Sequence, residues 1–108
     1  MVNLTSDNFV ENVFTTNKLI MVQFSANWCS SCMEFQNETL PKLEKLYLCS
    51  DVNFYKVDVD QECALAEQYN IDKLPTFLFF KDRRVVNFII GNESIRSFQR
   101  VINDILNK

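Results

Sequence analysis

A pair of cysteines placed directly after an apolar run restricts the fold of this chain more than any other segment. Residues 19–24 predict a buried strand, and Trp28-Cys29-Ser30-Ser31-Cys32 follows them after a short turn. A helix that begins at Cys29 exposes that sulfur and brings it to the partial positive charge of the helix N-terminus, which stabilises a thiolate. Two cysteines three positions apart on a first helical turn can also bond to each other. The segment therefore favours reversible thiol–disulfide exchange.

Length and composition predict one domain and exclude several classes of function. The chain has 108 residues, of which 47% are apolar and ten are phenylalanine, so we expect a single domain with one core over residues 1–108. The net charge of −3 argues against nucleic-acid binding, which requires a basic patch. No histidine is present, which removes Cys–His and Ser–His–Asp catalysis and weakens any zinc site that needs imidazole.

The sequence predicts neither a membrane segment nor a secretory signal. Residues 1–7 are polar and have no basic region. The longest apolar stretch is about six residues, far short of the roughly 20 that span a bilayer. We therefore expect a cytoplasmic protein that does not contact membranes, although a mature chain stripped of a targeting segment would have the same sequence. A monomer is the expectation for so small a domain.

Two further cysteines, Cys49 and Cys63, leave three readings of the cysteine content. A disulfide framework is typical of small secreted domains with thin cores, whereas this core is sufficient without one. A zinc site would need these two residues as additional ligands, and they lack a second C-x-x-C spacing. A redox pair with two passive thiols is the reading that we favour, and we expect no metal. A regulatory or dimer-forming disulfide through Cys49 or Cys63 stays open.

Apolar periodicity divides the first half of the chain into a short helix, a strand and a long helix. The short helix can be capped by Thr5 or Ser6, and its inward face would consist of Phe9, Val10, Val13 and Phe14. Residues 19–25 form the strand. The long helix runs from Cys29 to Tyr47, with a bend or break expected near Pro41.

The second half predicts strands over residues 52–58, 77–80 and 85–90, with a turn at residues 81–84. A short helix covers residues 62–69 and can be capped by Asp60, while Asn92 or Ser94 starts a final helix after Gly91. The order is therefore (β)αβαβα followed by ββα. It predicts an α/β fold with a mixed central sheet and helices on both faces. The cysteine turn would lie at the carboxyl end of a central strand.

Taken in this order, the segments resemble the thioredoxin family from end to end. The matching segments are Leu4-Thr5 with Phe9, residues 22–32, residues 56–60, Leu74-Pro75-Thr76, and Gly91 between the last strand and helix. The resemblance implies a thioredoxin fold and a protein-disulfide reductase without a bound cofactor. It also implies disulfide-containing protein substrates and a reducing partner such as thioredoxin reductase.

Roles for individual residues follow from the position of the cysteines and from the resemblance. Cys29, first on the helix, is predicted to attack the substrate disulfide, and Cys32 to resolve the mixed disulfide. The substrate-binding surface would comprise Trp28, Leu74, Pro75 and Gly91, and the resemblance implies a cis Pro75. Covering the edge of the core is an equally good role for Trp28, and the two roles are compatible.

Four residues are predicted to tune the two thiols, and some of them depart from the family pattern. Ser30 and Ser31 replace the usual Gly-Pro, and their hydroxyls can donate to a thiolate and make the disulfide more oxidising. Gln23 stands where the family usually buries an aspartate, and an amide cannot act as a general base. Lys56 either influences the dithiol electrostatically or is a solvated strand-end lysine.

These departures keep two alternatives to a reductase open. A more oxidising thiol oxidase or isomerase is compatible with the two serines. A non-catalytic binding module on the same fold is compatible with Gln23.

Overall fold

The computed structural model describes all 108 residues and contains one five-stranded mixed sheet. The spatial strand order is β1-β3-β2-β4-β5, in which the first three strands are mutually parallel and the last two run antiparallel. The strands are β1 Val2–Asn3, β2 Leu19–Ser25, β3 Val52–Asp58, β4 Thr76–Lys81 and β5 Arg84–Ile90. The helices are α1 Phe9–Val13, α2 Ser30–Glu34, α3 Leu40–Leu46, α4 Cys63–Gln68 and α5 Ile95–Leu106, with a π-helical turn at Phe35–Thr39.

The central strand β2 is buried along its whole length, which explains its continuous apolar run. Its even-numbered and odd-numbered residues face two separate cores. One core joins the sheet to α3 and α5, and Phe35, Phe77 and Phe98 pack there with ring centroids 4.5–5.1 Å apart. The other core joins the sheet to α1 and α4. The predicted mixed sheet with helices on both faces is confirmed.

The predicted interruption of the long helix takes the form of a π-helical turn. The amide of Leu40 donates to the carbonyl of Phe35, five residues back, and α3 begins there with Pro41 in its first turn. Proline has no amide to donate and its ring crowds the carbonyl four residues earlier, so a regular α-helix cannot pass through it undisturbed. The helical path continues beyond the proline, and the disturbance lies just before it.

Two helix starts differ from the prediction. At α1 the side chain of Asn8 accepts from the Thr5 amide, and neither Thr5 nor Ser6 caps the helix with its hydroxyl. Val10 is exposed because the short α1 turns only Phe9 and Val13 into the core. At α4 the expected cap by Asp60 is wrong, since the carboxylate of that residue accepts a hydrogen bond from Trp28.

The last helix and the hairpin follow the sequence closely. Ser94 caps α5, and its Oγ accepts from the Ser97 amide at 3.3 Å. Asp82 and Arg83 connect β4 and β5 with φ of 52° and 72°, the positive values that a two-residue type I′ turn requires. None of the helices has the length and apolar character needed to cross a membrane.

Candidate active site

The two cysteines lie where β2 leads into α2, at the carboxyl end of the central strand. Cys29 is the N-cap of α2, and its Sγ accepts from the Cys32 amide at 3.2 Å. A disulfide joins the two residues, whose Cα atoms are 5.3 Å apart. The helix starts at Ser30, one residue later than predicted, because Cys29 has extended backbone angles and contributes its sulfur as the cap.

Cys29 is less exposed than the sequence predicts. Its exposed fraction is 6%, and that of Cys32 is zero. Both pack against Ala26 in a small apolar cluster that Val59 and Leu74 help to cover. The prediction of an exposed sulfur is therefore wrong for this disulfide form, because apolar neighbours and the bond to Cys32 cover it. The predicted order, with Cys29 more accessible than Cys32, is confirmed.

The two serines between the cysteines are not equivalent. The Oγ of Ser31 lies 3.5 Å from the Sγ of Cys29, and its hydroxyl is the donor because the bonded sulfur carries no proton. Ser30 is exposed and makes no side-chain hydrogen bond. Of the two hydroxyls predicted to donate to Cys29, only that of Ser31 is in position to do so.

Gln23 lies beneath Cys32 and is fully buried. Its Nε2 donates to the Cys32 carbonyl at 3.3 Å, and its Oε1 accepts from the Nε2 of Gln36 at 3.0 Å. Two neutral amides thus form a hydrogen-bonded chain that ends on the backbone of Cys32. No carboxylate takes part in this chain, so it offers no proton acceptor at neutral pH.

Lys56 is opposite Gln23 in the parallel β2–β3 register and is half-buried. It lines a polar cavity of about 170 Å³ that also involves Ser25, Gln36 and Asp58. Neither cysteine lines this cavity, and the one ion pair in the molecule, Lys108–Asp104, is elsewhere. Lys56 therefore shares a cavity with Gln36, and no hydrogen bond or ion pair joins it to either cysteine.

Trp28 is 69% exposed and stands beside the cysteine turn. Its Nε1 donates to the Oδ2 of Asp60 at 2.9 Å, and the Asp60 amide in turn donates to the Oδ1 of Asp58 at 2.9 Å. Trp28 belongs to none of the apolar clusters, and most of its surface faces solvent. The hydrogen bond holds the ring on the surface near the disulfide, in a position where a bound protein can contact it.

The loop before β4 brings Leu74 to the cysteines and is joined to Gly91, which follows β5. The Leu74–Pro75 peptide is cis, as the resemblance implied, and Leu74 packs on the cluster of Ala26, Cys29 and Cys32. The Pro75 carbonyl accepts from the Gly91 amide at 2.7 Å. Gly91 has φ +90°, a value that residues with a Cβ rarely adopt, so a glycine is required where the chain passes this loop.

The remaining cysteines do not join the site. Cys49 follows α3 and Cys63 begins α4, and both are exposed and unpaired. They lie on separate elements and have no partner in a disulfide. The four cysteines are therefore not grouped at one site.

Two residues of the site were not identified from the sequence. Gln36 follows Cys32 by four positions, which places both on the same face of a helix, and this spacing could have indicated that Gln36 reaches Gln23. Asp60 was assigned to a helix cap. Its bond to Trp28 joins residues 32 positions apart, and no local pattern indicates such a contact.

Comparison with known proteins gives a consistent result. The family model for thioredoxin matches residues 1–104. Thioredoxin of Chlamydia caviae is 35% identical over 101 residues, which cover 93% of each chain. Thioredoxin H8 of Arabidopsis thaliana is 38% identical over 77 residues, and this match covers 70% of the present chain and about half (49%) of that relative.

The fold comparison agrees with these sequence matches. The oxidised form of mitochondrial thioredoxin 3 from Saccharomyces cerevisiae superimposes with a TM-score of 0.84 and 31% identity, over 96% of this chain and 94% of that one. The cysteine pair lies at a helix N-terminus of this fold, and the matched proteins are thioredoxins. Together these findings indicate a thiol–disulfide oxidoreductase. The chain belongs to the thioredoxin family.

Proposed function

We propose that this protein is a protein-disulfide reductase that works by dithiol–disulfide exchange. The observation that carries the proposal is the Cys29–Cys32 disulfide at the start of α2, with Cys29 as the more accessible sulfur. A pair that forms a disulfide within one helical turn has the arrangement needed to give up two electrons and close again. The packing of Leu74 against the same cysteines supports a substrate-binding role for that face.

The reaction begins from the dithiol form. The Cys29 thiolate attacks one sulfur of the substrate disulfide, and the other substrate sulfur leaves as a thiolate that takes a proton from water. Cys32 then loses its proton and attacks the Cys29 sulfur, which forms the Cys29–Cys32 bond and releases the second substrate thiolate. The substrate gains two electrons and two protons, and the enzyme loses them.

Substrate contact is assigned to the surface around the disulfide. Trp28 supplies an exposed aromatic ring, while Leu74, Pro75 and Gly91 supply the adjoining loop backbone. An extended segment next to the scissile disulfide can pair with that backbone, as peptides do when they add to a sheet edge. The substrates are therefore proteins with accessible disulfides.

Gln23 sets the rate of the second step in this proposal. Because its amide cannot accept the Cys32 proton, that proton passes to water, and turnover is slower than with a buried carboxylate. Lys56 acts at a distance, through the polar cavity that it shares with Gln36.

Insulin reduction in the presence of dithiothreitol tests the proposal. We expect Cys29→Ser to abolish turnover and Cys32→Ser to trap a mixed disulfide with the substrate, visible by mass spectrometry. Cys63→Ser is the matched control, since it removes an exposed, unpaired thiol and leaves turnover unchanged. If Cys29→Ser keeps its turnover, Cys29 is not the nucleophile and the proposed mechanism is wrong. If the wild type has no turnover and Cys29→Ser still captures partners, the chain is a binding module and the reductase proposal is wrong.

The contact between Ser31 and Cys29 favours a second candidate, a thiol oxidase or isomerase. A hydroxyl 3.5 Å from the Cys29 sulfur stabilises its thiolate, which favours the dithiol and makes the disulfide more oxidising. Equilibration in glutathione buffers distinguishes the two functions. A midpoint near about −270 mV is typical of a reductase, whereas one between about −180 and −120 mV is typical of an isomerase or oxidase.

The electrons for repeated turnover would come from a reductase such as thioredoxin reductase, and the proposed location is the cytoplasm. Exposed free thiols at Cys49 and Cys63 are compatible with a reducing compartment. Activity that depends on an added thioredoxin reductase, with no chemical reductant present, would support this partner.

A further inference from the structure

The side-chain hydrogen bonds beneath Cys32 have a direction, and the Cys32 carbonyl determines it. A carbonyl oxygen can only accept, so the Gln23 side chain turns its NH2 group toward it, with the two atoms 3.3 Å apart. The Gln23 Oε1 is left for a second bond, which it accepts from the Nε2 of Gln36 at 3.0 Å. The group that faces Cys32 from the central strand is therefore a donor and not an oxygen.

Gln23 has one more N–H than these bonds use. A side-chain amide carries two N–H donors, and the Cys32 carbonyl takes up only one of them. The Gln23 side chain is fully buried and does not line the polar cavity that contains Lys56. Because a buried donor without an acceptor is costly, the second N–H calls for an acceptor that another state of the site provides.

The dithiol form provides such an acceptor. Reduction opens the Cys29–Cys32 bond and leaves a free sulfur on the residue that the Gln23 amide already contacts. In the second step of the reaction this sulfur carries a negative charge before it attacks Cys29. Because Cys32 is fully buried, protein groups rather than bulk water must stabilise that charge.

We propose that the second N–H of Gln23 donates to the Cys32 thiolate, and that Gln36 is the positioning residue that keeps this NH2 group turned toward it. The inference rests on the proposed function and assigns two residues to its second step. Without the bond from Gln36, the Gln23 amide can rotate and present its oxygen, which repels a thiolate. Gln36 follows Cys32 by four positions on the same helical face, so it is placed by the helix that carries the resolving cysteine.

Few ionisable groups lie near enough to Cys32 to produce the same effect. Cys29 is the other ionisable residue in the small apolar cluster that contains Cys32. Lys56 and Asp58 line the polar cavity, which Cys32 does not line. Replacement of a neutral glutamine removes no charge from this set. A shift in the ionisation of Cys32 after such a replacement therefore reports on the hydrogen bond.

Titration of the dithiol form tests the proposal. With isotope-labelled cysteine, the NMR chemical shift of the Cys32 Cβ follows the ionisation of this thiol separately from the others. Gln36→Met has a similar length and no N–H, and it is expected to raise the Cys32 ionisation midpoint by about one pH unit, the effect of one hydrogen bond to a charged group. Gln61→Met is the matched control, because Gln61 lines the same cavity and makes no side-chain hydrogen bond, and its midpoint is expected to equal that of the wild type.

A double variant tests whether Gln36 acts through Gln23. Gln23→Met is expected to raise the midpoint at least as far as Gln36→Met, and the double variant no further than Gln23→Met alone. An unshifted midpoint in Gln36→Met, an equal shift in Gln61→Met, or additive shifts in the double variant overturns the proposal. If Gln23→Met does not fold, the comparison of Gln36→Met with Gln61→Met decides alone.

The rate of the second step separates this role from a purely structural one. In a Cys49→Ser, Cys63→Ser background, an aromatic disulfide forms a mixed disulfide with Cys29, and Cys32 then attacks Cys29 and releases the coloured aromatic thiolate. Below the Cys32 midpoint, Gln36→Met should release it more slowly than the background protein. Above the midpoint it should be at least as fast, because a less stabilised thiolate is the stronger nucleophile.

Slower release at every pH would indicate a distorted site and overturn the proposal. The titration and the release assay need no protein substrate. They can therefore contradict the role of Gln36 while insulin reduction supports the reductase, and they can support that role where insulin reduction fails.

Discussion

At the scale of single residues, the unusual feature of the site is that neutral groups surround Cys32. Gln23 and Gln36 form an amide chain where a carboxylate would supply a proton acceptor. These two hydrogen-bonded amides join α2 to the central strand through the Cys32 carbonyl. The site is thus held in place by groups that do not take part in proton transfer.

Gln23→Asp is predicted to accelerate the second step of the reaction. A carboxylate beneath Cys32 can accept its proton, so single-turnover release of the second substrate thiol at neutral pH is expected to be faster than in Gln23→Asn. The asparagine variant is the matched control because it has the same size and no charge. Equal rates in the two variants would show that proton transfer from Cys32 does not limit the step.

The same variant is predicted to lose stability as the pH rises. Burial raises the pKa of the introduced carboxyl above its unfolded value of about 3.9, so the folded state binds the proton more tightly. The stability from this source is then complete below the unfolded pKa of about 3.9 and falls as the pH rises through the folded pKa. The total loss is about 1.4 kcal/mol for each pH unit by which the folded pKa exceeds the unfolded one. Urea unfolding of Gln23→Asp and Gln23→Asn across this range measures the difference.

Asp60→Ala is predicted to loosen Trp28 without disturbing the disulfide. Loss of the indole hydrogen bond frees the exposed ring, and the KM for a protein substrate is expected to rise about twofold, the effect of one weak hydrogen bond. The chain has a single tryptophan, so fluorescence anisotropy reports on this ring alone. Asp51→Ala is the control, and an unchanged anisotropy in Asp60→Ala would contradict the role assigned to the bond.

At the scale of elements, the β4–β5 hairpin has Arg83 at the second position of its turn, where glycine is the favoured residue. Asp82 and Arg83 both have positive φ, where a Cβ costs about 1–2 kcal/mol and glycine costs none. Arg83→Gly is predicted to raise the free energy of unfolding by about 0.5–1 kcal/mol, after the entropy that glycine loses on folding is subtracted. Arg84→Gly, one residue later in β5, should instead lower it. Urea unfolding curves of the two variants test this contrast.

The elements show which parts of the fold the sequence could predict. The strands at residues 19–25 and 52–58 were predicted with the bounds that the structure has, because burial against a core imposes a regular apolar pattern. The order of elements placed the cysteine pair at the end of the central strand for the same reason. Helix starts were predicted less well. Asp60 was assigned to a cap but is bound to Trp28, a contact made only after the chain has folded.

The site was predicted in the same uneven way. Cys29 and Cys32 follow from their spacing and position, and Leu74, Pro75 and Gly91 follow from the resemblance. The burial of Cys29 and the bond from Gln36 to Gln23 depend on distances between elements, which no residue pattern specifies. Sequence reasoning therefore found the two cysteines that form the disulfide but missed part of the set of residues that holds them.

At the scale of the whole molecule, the sheet separates two cores, each closed by its own helices. Tyr47 and Tyr69 sit in or against these cores, one in each, and burial raises the pKa of both phenols. The Tyr47 hydroxyl also donates to the Oδ1 of Asn103 and so joins the end of α3 to α5.

We predict that the protein loses stability at alkaline pH because the phenols of Tyr47 and Tyr69 are partly buried. The unfolded phenols ionise near pH 10 and the folded ones only at higher pH, so the folded state holds the proton longer. Stability from this source is complete below about pH 10 and falls as the pH rises through the folded pKa values. Tyr47→Phe with Tyr69→Phe should flatten the decline, as measured by thermal unfolding between neutral and strongly alkaline pH. A decline that is unchanged in the double variant would assign the alkaline loss to other groups.

The amide chain beneath Cys32 has one more consequence, for the way in which the redox equilibrium depends on acidity. Amides keep the same charge at every pH, and the protein has no histidine. The groups beneath Cys32 therefore keep their charge near neutral pH. Two protons then accompany two electrons, and the midpoint potential falls in a straight line of about 59 mV per pH unit until a cysteine itself ionises. The first change in slope of that line marks the pKa of a thiol. A plot of midpoint potential against pH therefore measures the thiol pKa directly.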